Sequence, residues 1–342
     1  MSEFVTLEEI RAAKERIAGV AVRTPLYRLE RARLRMGNFP EPEFDLYIKA
    51  ESEQPIGSFK LRGAYNMVSQ LSPEALRRGV ITYSSGNHAQ GVAYAARALG
   101  AKAVIVMPNN APEVKKAATR ALGAEIVEVG PASSDRKIKA EELVAEHGYA
   151  MIPPYDAPQI IAGQATCGLE IVEQLPGVEL VISPVSGGGL LSGIATAVKL
   201  AAQEGLAEPS VKVWGAEPEL AADAKESFYS KKLVEWPAEK TTRTIGDGLR
   251  TQSLGVLNFE HVVRFVDGIV SVTEDEILAA MRVILGATKL VAEPSGAVTL
   301  AAALFHADEL PKARKVVVVL SGGNLEPALR EQLKGELAAT RA

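Results

Sequence analysis

Lys60 lies in the run Gly57-Ser58-Phe59-Lys60-Leu61-Arg62-Gly63-Ala64, and far downstream comes a glycine loop, Ser186-Gly187-Gly188-Gly189-Leu190. A primary amine condenses with an aldehyde to give an imine, and glycine lets backbone N–H groups close on phosphate oxygens. Together the two elements suit a ligand that carries both an aldehyde and a phosphate ester. Lys60 opens an amphipathic segment in which Leu61, Ala64, Tyr65 and Val68 recur at helical spacing, so its amine falls near a helix N-terminus. The positive end of the helix dipole disfavours an ammonium there and lowers the pKa, which helps imine formation. Alone, a lysine in such a place is a solvated surface charge; its motif and the loop downstream turn the balance toward chemistry.

The loop continues Leu191-Ser192-Gly193, follows the apolar run Leu180–Pro184 and opens an alanine-rich helix, whose dipole adds attraction for a phosphate dianion. A tight strand-to-helix turn would use the same residues. The loop lacks the spacing and the Lys-Ser/Thr ending of a P-loop, and it stands too late in the chain for a first-turn dinucleotide fingerprint. Nucleotide binding is therefore disfavoured.

These residues need a scaffold, and the chain supplies one from residue 80 onward, where short β-branched runs alternate with longer helical patterns. The runs are Val80–Tyr83, Ala103–Met107, Glu125–Val129, Leu180–Pro184, Val211–Trp214, Val262–Val266 and Val316–Leu320. Such alternation predicts an α/β fold, two wound α/β layers with largely parallel sheets. The helical stretches Ala89–Leu99 and Val114–Leu122 stop at Gly100 and Gly123, as glycine C-caps do. Four strands run directly into polar or glycine-rich motifs: Ser84-Ser85-Gly86-Asn87-His88, the glycine loop, Gly215-Ala216-Glu217 and Ser321-Gly322-Gly323-Asn324. Parallel sheets bind ligands at the carboxyl ends of their strands, so all four can meet in one crevice. Residues 52–157 read as a compact smaller unit inserted into a larger domain made of 1–51 and 158–342, with the crevice between them.

At 342 residues the chain exceeds one hydrophobic core, and its 47% apolar content can build two. With 38 basic against 42 acidic residues and a net charge of -4, no cluster suits a phosphodiester backbone, so nucleic acid is excluded as a partner. Glu3, Glu8, Glu9, Lys14 and Arg16 break any signal-peptide core, and no apolar run reaches membrane-spanning length. A cytoplasmic protein is expected. Cys167, the single cysteine, sits in an apolar helical stretch and reads as a buried structural thiol.

Five ordered motifs give the chain a resemblance to fold-type II pyridoxal phosphate enzymes, tryptophan synthase β-like in fold, of the threonine/serine dehydratase and serine racemase group. They are Ser58 to Ala64, Ser85-Gly86-Asn87-His88-Ala89-Gln90-Gly91, Ala162-Gly163-Gln164, the glycine loop and Ser321-Gly322-Gly323-Asn324. The resemblance implies pyridoxal 5'-phosphate in the interdomain cleft, held covalently by Lys60, with Phe59 against the ring, Asn87 on the ring hydroxyl and Ser321 at the pyridine nitrogen. Gly187, Gly188, Gly189 and Leu190 would hold the phosphate. Ser186 replaces the first of the four glycines common in the family; its N–H and hydroxyl can still serve the phosphate. A homodimer is the family expectation.

A neutral serine does not keep the pyridine nitrogen protonated as a carboxylate would, so the ring is a weaker electron sink. Prompt loss of a β-leaving group is then favoured over transamination. The activity implied is dehydration and deamination of β-hydroxy amino acids, L-threonine and L-serine first, giving 2-oxobutanoate or pyruvate plus ammonia. Serine racemase, threo-3-hydroxyaspartate dehydratase and phenylserine dehydratase are the near alternatives; cysteine synthase chemistry and a non-catalytic ligand sensor are further ones. The loop of Ser84, Ser85, Gly86, Asn87 and His88, at a helix start, suits the substrate carboxylate. The His88 side chain reads as structural. Ser85 matches the serine that exchanges a proton opposite the lysine in racemases of the family, although it could equally cap the helix. Glu217, Ala221 and Asp223 resemble the divalent-metal site of the serine racemase branch, suited to Mg2+ or to Ca2+ or Mn2+, although surface acids are the ordinary origin of such pairs. Asp247 also matches the family and would support the cleft. Arg136 matches an arginine of racemases and hydroxyaspartate dehydratases and could take a second carboxylate, or it could be a solvated helix-start residue. With few residues after Asn324, an added amino-acid-sensing domain and feedback control through it are not expected.

Overall fold

A computed structural model describes residues 4–84, 86–111, 113–130 and 133–341. Ser85 lies outside the described residues. The strands are β1 (Leu26–Arg28), β2 (Asp45–Ala50), β3 (Val80–Tyr83), β4 (Ala103–Pro108), β5 (Glu125–Val129), β6 (Ala150–Met151), β7 (Leu180–Pro184), β8 (Lys212–Pro218), β9 (Gly268–Val272) and β10 (Lys315–Leu320). Among the described residues they form two sheets, one ordered β1-β2-β10-β7-β8-β9 and one ordered β5-β4-β3-β6. Every pairing is parallel except β1 with β2.

The runs of β-branched residues follow from burial on both faces. In β10, Val317 and Val319 enter one apolar core and Val316, Val318 and Leu320 the other, the two-residue period of a strand covered on both sides. The smaller sheet repeats the pattern, with Ile105 and Met107 on one face and Val104 and Val106 on the other. The Pro158–Gln174 helix is buried along most of its length, because glycines let neighbours approach closely. A Cβ on Gly163 would come within 2.6 Å of the Gly63 Cα, and one on Gly193 within 2.6 Å of the Ala165 nitrogen. Gly63 and Gly163, conspicuous in the motifs, therefore serve a helix crossing. No helix of the described residues is long and apolar enough to cross a membrane.

One expected strand is absent. Val262–Val266 closes the Val256–Phe265 helix, and the strand comes just after it, at β9. The buried residues Asn258, His261, Val262 and Phe265 recur at three and four, so the helical period overrides the β-branched composition. β2 lies outside the expected runs because Lys49 interrupts its apolar sequence; in the fold that lysine is wholly buried.

Lys49 belongs to an ionic network beneath the Lys60–Val68 helix. Arg62 grips Glu51 at 2.7 and 2.8 Å and Glu170 at 2.7 and 2.9 Å, while Lys49 Nζ donates to Glu170 at 2.5 Å and to the Thr24 carbonyl at 2.8 Å. Burial would raise the Glu51 pKa, but Arg62 outweighs it and holds the carboxyl at about 2. Two cations balance two anions. Removing one partner strands a buried charge, so Glu170→Gln should lower unfolding free energy by about 3–5 kcal/mol in urea titration. A loss below about 1 kcal/mol, the range of exposed pairs, would refute the network's role.

Candidate active site

Lys60 is the first residue of its helix, and that helix start is tied to the carboxyl end of β10. The Phe59 N–H donates to the Ser321 carbonyl at 3.0 Å, the Gly323 N–H donates to Gly57 at 2.9 Å, and Ser58 pairs with Gly322 in an isolated antiparallel bridge. The Lys60 amine donates to the Pro154 carbonyl at 2.7 Å and lies 5.3 Å from the centroid of the Phe59 ring. The residue is intermediate in exposure, with its amine the enclosed end, and burial draws that amine's pKa down to about 8. Desolvation thus does what the sequence reading assigned to the helix dipole.

Tyr155, the residue after Pro154, packs on the glycine loop and so joins it to Lys60. Gly188 has φ +96° and caps the Gly189–Gln203 helix, whose first N–H groups have no earlier turn to bond. A Cβ on Gly187 would lie 2.5 Å from the Tyr155 ring, and one on Gly188 2.8 Å from the Asn258 Cβ, so only glycine fits. This amide cradle at a helix start, beside a deprotonable buried amine, fits a phosphate-bearing aldehyde. The Ser186 hydroxyl lies 2.6 Å from Thr251 Oγ1 and accepts from the Thr251 N–H at 3.2 Å. Leu190 is buried behind the loop.

Asn87 opens the Asn87–Ala98 helix; its Nδ2 donates to Glu293 at 2.7 Å and its Oδ1 accepts from Asn324 at 2.7 Å. One Nδ2 hydrogen remains for another acceptor. Glu293 is absent from the sequence reading. Burial first, and then Asp247, raises its pKa to about 7. Its only sequence signal is an acid directly before Pro294 at the head of an apolar helix. Tyr155 and Asp156, in the connection after β6, also escaped sequence reasoning because their partners are remote in the chain. Ser84 Oγ accepts from the Gly86 N–H at 3.3 Å. The His88 side chain is buried against the Ile152 carbonyl at 3.0 Å, and burial, aided by Lys60, drives its pKa down to about 3, so the ring is neutral and structural. Ser321 is 4% exposed at the end of β10.

Glu217 lies on β8, which runs on to Pro218, past the Trp214 end expected from sequence. Neither it nor Asp223 is a surface acid: they are 0% and 1% exposed. Glu217 Oε1 accepts from the Lys225 N–H, while its Oε2 and both Asp223 oxygens are buried without a partner among the described residues. Burial raises both carboxyls, Asp223 to about 7 and Glu217, with Asp223 beside it, well above the usual range. Orphaned hard oxygens of this kind fit a divalent cation, with the buried Ala221 between them in sequence offering a carbonyl; among the described residues no third His, Cys, Asp or Glu joins them. Asp247 pairs with Lys115 at 2.5 Å. Arg136 is half-buried: burial lowers its pKa, Tyr83 lies in its field, and its Nε is buried without a partner among the described residues. Cys167 is buried and its pKa pushed up by burial, as a structural thiol requires.

A family model described as pyridoxal-phosphate dependent enzyme matches residues 17–322. The chain belongs to this family. It is 39% identical over 321 residues to the L-threo-3-hydroxyaspartate ammonia-lyase of Saccharomyces cerevisiae, covering 94% of each chain. It is also 39% identical over 333 residues to the catabolic L-threonine dehydratase of Escherichia coli, covering 97% of this chain and 96% of the relative. Among solved structures, maize serine racemase superposes with a TM-score of 0.87 at 34% identity, covering 99% of each chain.

The lowered Lys60 pKa has a kinetic signature. Only the neutral amine attacks an aldehyde, so capture of pyridoxal phosphate by cofactor-free protein should speed up with pH and level off above about 8. Stopped-flow absorbance would read this, and a midpoint near an ordinary lysine value would contradict the burial.

Proposed function

We propose that this enzyme dehydrates and deaminates β-hydroxy amino acids, L-threonine and L-serine first, releasing 2-oxobutanoate or pyruvate and ammonia. The observation that carries this is the buried Lys60 amine, available as a neutral base above pH about 8, joined through Pro154 and Tyr155 to a glycine cradle with neutral Ser321 nearby. Bound pyridoxal phosphate supplies an electron sink for charge that develops at the substrate Cα. Lys60 would hold it through its amine and would serve as the base for the Cα proton. Phe59 would lie against the ring, Asn87 would offer its remaining Nδ2 hydrogen to the ring hydroxyl, and Ser321 would face the pyridine nitrogen. The N–H groups of Ser186, Gly187, Gly188, Gly189 and Leu190 take the phosphate. Backbone N–H groups along Ser84, Ser85, Gly86, Asn87 and His88 hold the substrate carboxylate, and Ser85 is the candidate for proton exchange on the opposite face. The β-hydroxyl leaves as water, and the enamine released takes up water to give the 2-oxo acid and ammonia. Residues 52–157, which include the whole smaller sheet, form the smaller domain, and 1–51 with 158–342 the larger.

Release of 2-oxo acid from L-threonine, L-serine, D-serine, threo-3-hydroxyaspartate and phenylserine tests the proposal: L-threonine or L-serine should turn over fastest. No turnover by protein that has bound the cofactor would sink it. One observation favours a second substrate. Arg136, half-buried beside Tyr83 with an Nε unpartnered among the described residues, is suited to a second carboxylate, and the yeast relative is a hydroxyaspartate ammonia-lyase. A hydroxyaspartate preference abolished by Arg136→Gln would establish that alternative.

Glu217, Asp223 and the Ala221 carbonyl are proposed to hold Mg2+, or Ca2+ or Mn2+. Without a cation, these folded carboxyls keep protons that the unfolded chain releases, so stability falls as pH rises from the ordinary aspartate range to about 7. Thermal melts should show that fall in chelator, its reversal by Mg2+, and a flatter profile in Asp223→Asn. Identical melts with Mg2+ and with chelator would rule the site out.

A further inference from the structure

The connection from β6 to the Pro158–Gln174 helix places three successive residues on three parts of the site. The Pro154 carbonyl receives the Lys60 amine, the Tyr155 ring lies on Gly187 while its Cβ and backbone face Gly189, and the Asp156 carboxylate caps the Val256–Phe265 helix. That cap is complete: Asp156 accepts from the N–H groups of Val256 at 3.0 Å, Leu257 at 3.0 Å and Asn258 at 3.2 Å. Gly255 makes room for it, because a Cβ there would lie 2.3 Å from Asp156 Oδ1.

The capped helix start is aimed at the glycine loop. Asn258 Nδ2 donates to the Gly187 carbonyl at 2.9 Å, and the Gly255 N–H donates to the same oxygen at 3.0 Å. A trans peptide unit is planar, so its carbonyl and the following N–H point in opposite directions. Fixing the Gly187 carbonyl toward the helix therefore turns the Gly188 N–H the other way, into the cradle.

We propose that Asp156 is a positioning residue for the phosphate end of the cofactor site, acting through the Val256–Phe265 helix and Asn258 on the Gly187–Gly188 peptide, a role that rests on the glycine loop holding the phosphate. It touches no cofactor atom; it sets the direction of an N–H that does. An N-cap that served stability alone would leave cofactor affinity unchanged when removed.

Cofactor-free wild type, Asp156→Ala, Asp156→Asn and Asn258→Ala, and the Asp156→Ala/Asn258→Ala double variant, would be titrated with pyridoxal phosphate and, separately, with pyridoxal. Loss of the cap should raise the pyridoxal phosphate Kd about tenfold and leave the pyridoxal Kd unchanged. Asp156→Asn, which keeps an acceptor for Leu257 and Asn258, should fall between. The double variant should bind no more weakly than Asn258→Ala, because both changes act on one peptide. Equal Kd values for wild type and both Asp156 variants would overturn the inference, as would multiplicative effects in the double variant. If Asp156→Ala does not fold, Asp156→Asn against wild type decides. Wild type that binds pyridoxal as tightly as pyridoxal phosphate would instead refute the phosphate cradle itself.

Discussion

Arg62 directs its whole guanidinium at two buried carboxylates, and the placement of Lys60 depends on that. The arginine stands two residues after the lysine, in the first turn of the same helix, and Glu51 and Glu170 belong to different segments of the larger-sheet unit. Charge neutrality forces all four ionic groups to assemble together, since any one left alone would be a buried ion. The result is a helix start whose rotation and depth are fixed from below while its first residue faces the cleft from above.

The rest of the site follows from strand ends. β7, β8 and β10 of the larger sheet and β3 of the smaller deliver the glycine loop, Glu217, Ser321 and Ser84 at their carboxyl termini, with helices starting nearby. The interior strands β4 and β10 carry apolar residues on both faces, so the polar motifs of the site collect at strand ends. Burial then tunes the groups: it brings Lys60 toward neutrality, silences His88 and raises Glu293, Glu217 and Asp223. One physical effect yields a lysine amine near neutrality, a neutral hydrogen-bonding ring and three carboxyls of raised pKa.

Legibility in the sequence tracked the distance over which each signal acts. Strand runs, glycine C-caps and the loop after β7 are local, and six of the seven expected strands stand where their patterns put them, the exception being Val262–Val266. β2 was hidden by Lys49, whose partners Glu170 and Thr24 are far off in the chain. Glu293 and Asp156 were hidden for the same reason: a carboxylate's role lies in what faces it, and Asn87 and the Val256–Phe265 helix start are remote from them. Lys60 was found by motif, but its lowered pKa comes from enclosure, which no local pattern encodes.

The joint between residues 57–60 and 321–324 bears on how the protein is made. β10 enters the larger sheet between β2 and β7, so the last strand among the described residues is an interior one. Until it inserts, β2 lacks its parallel partner, and the Phe59 N–H and Gly57 carbonyl lack theirs. Contacts of such long sequence separation form late and slowly. A chain that has not yet placed β10 thus carries Lys60 on a helix start whose backbone joint is still open, so the seating of that lysine waits on a strand more than 250 residues further along.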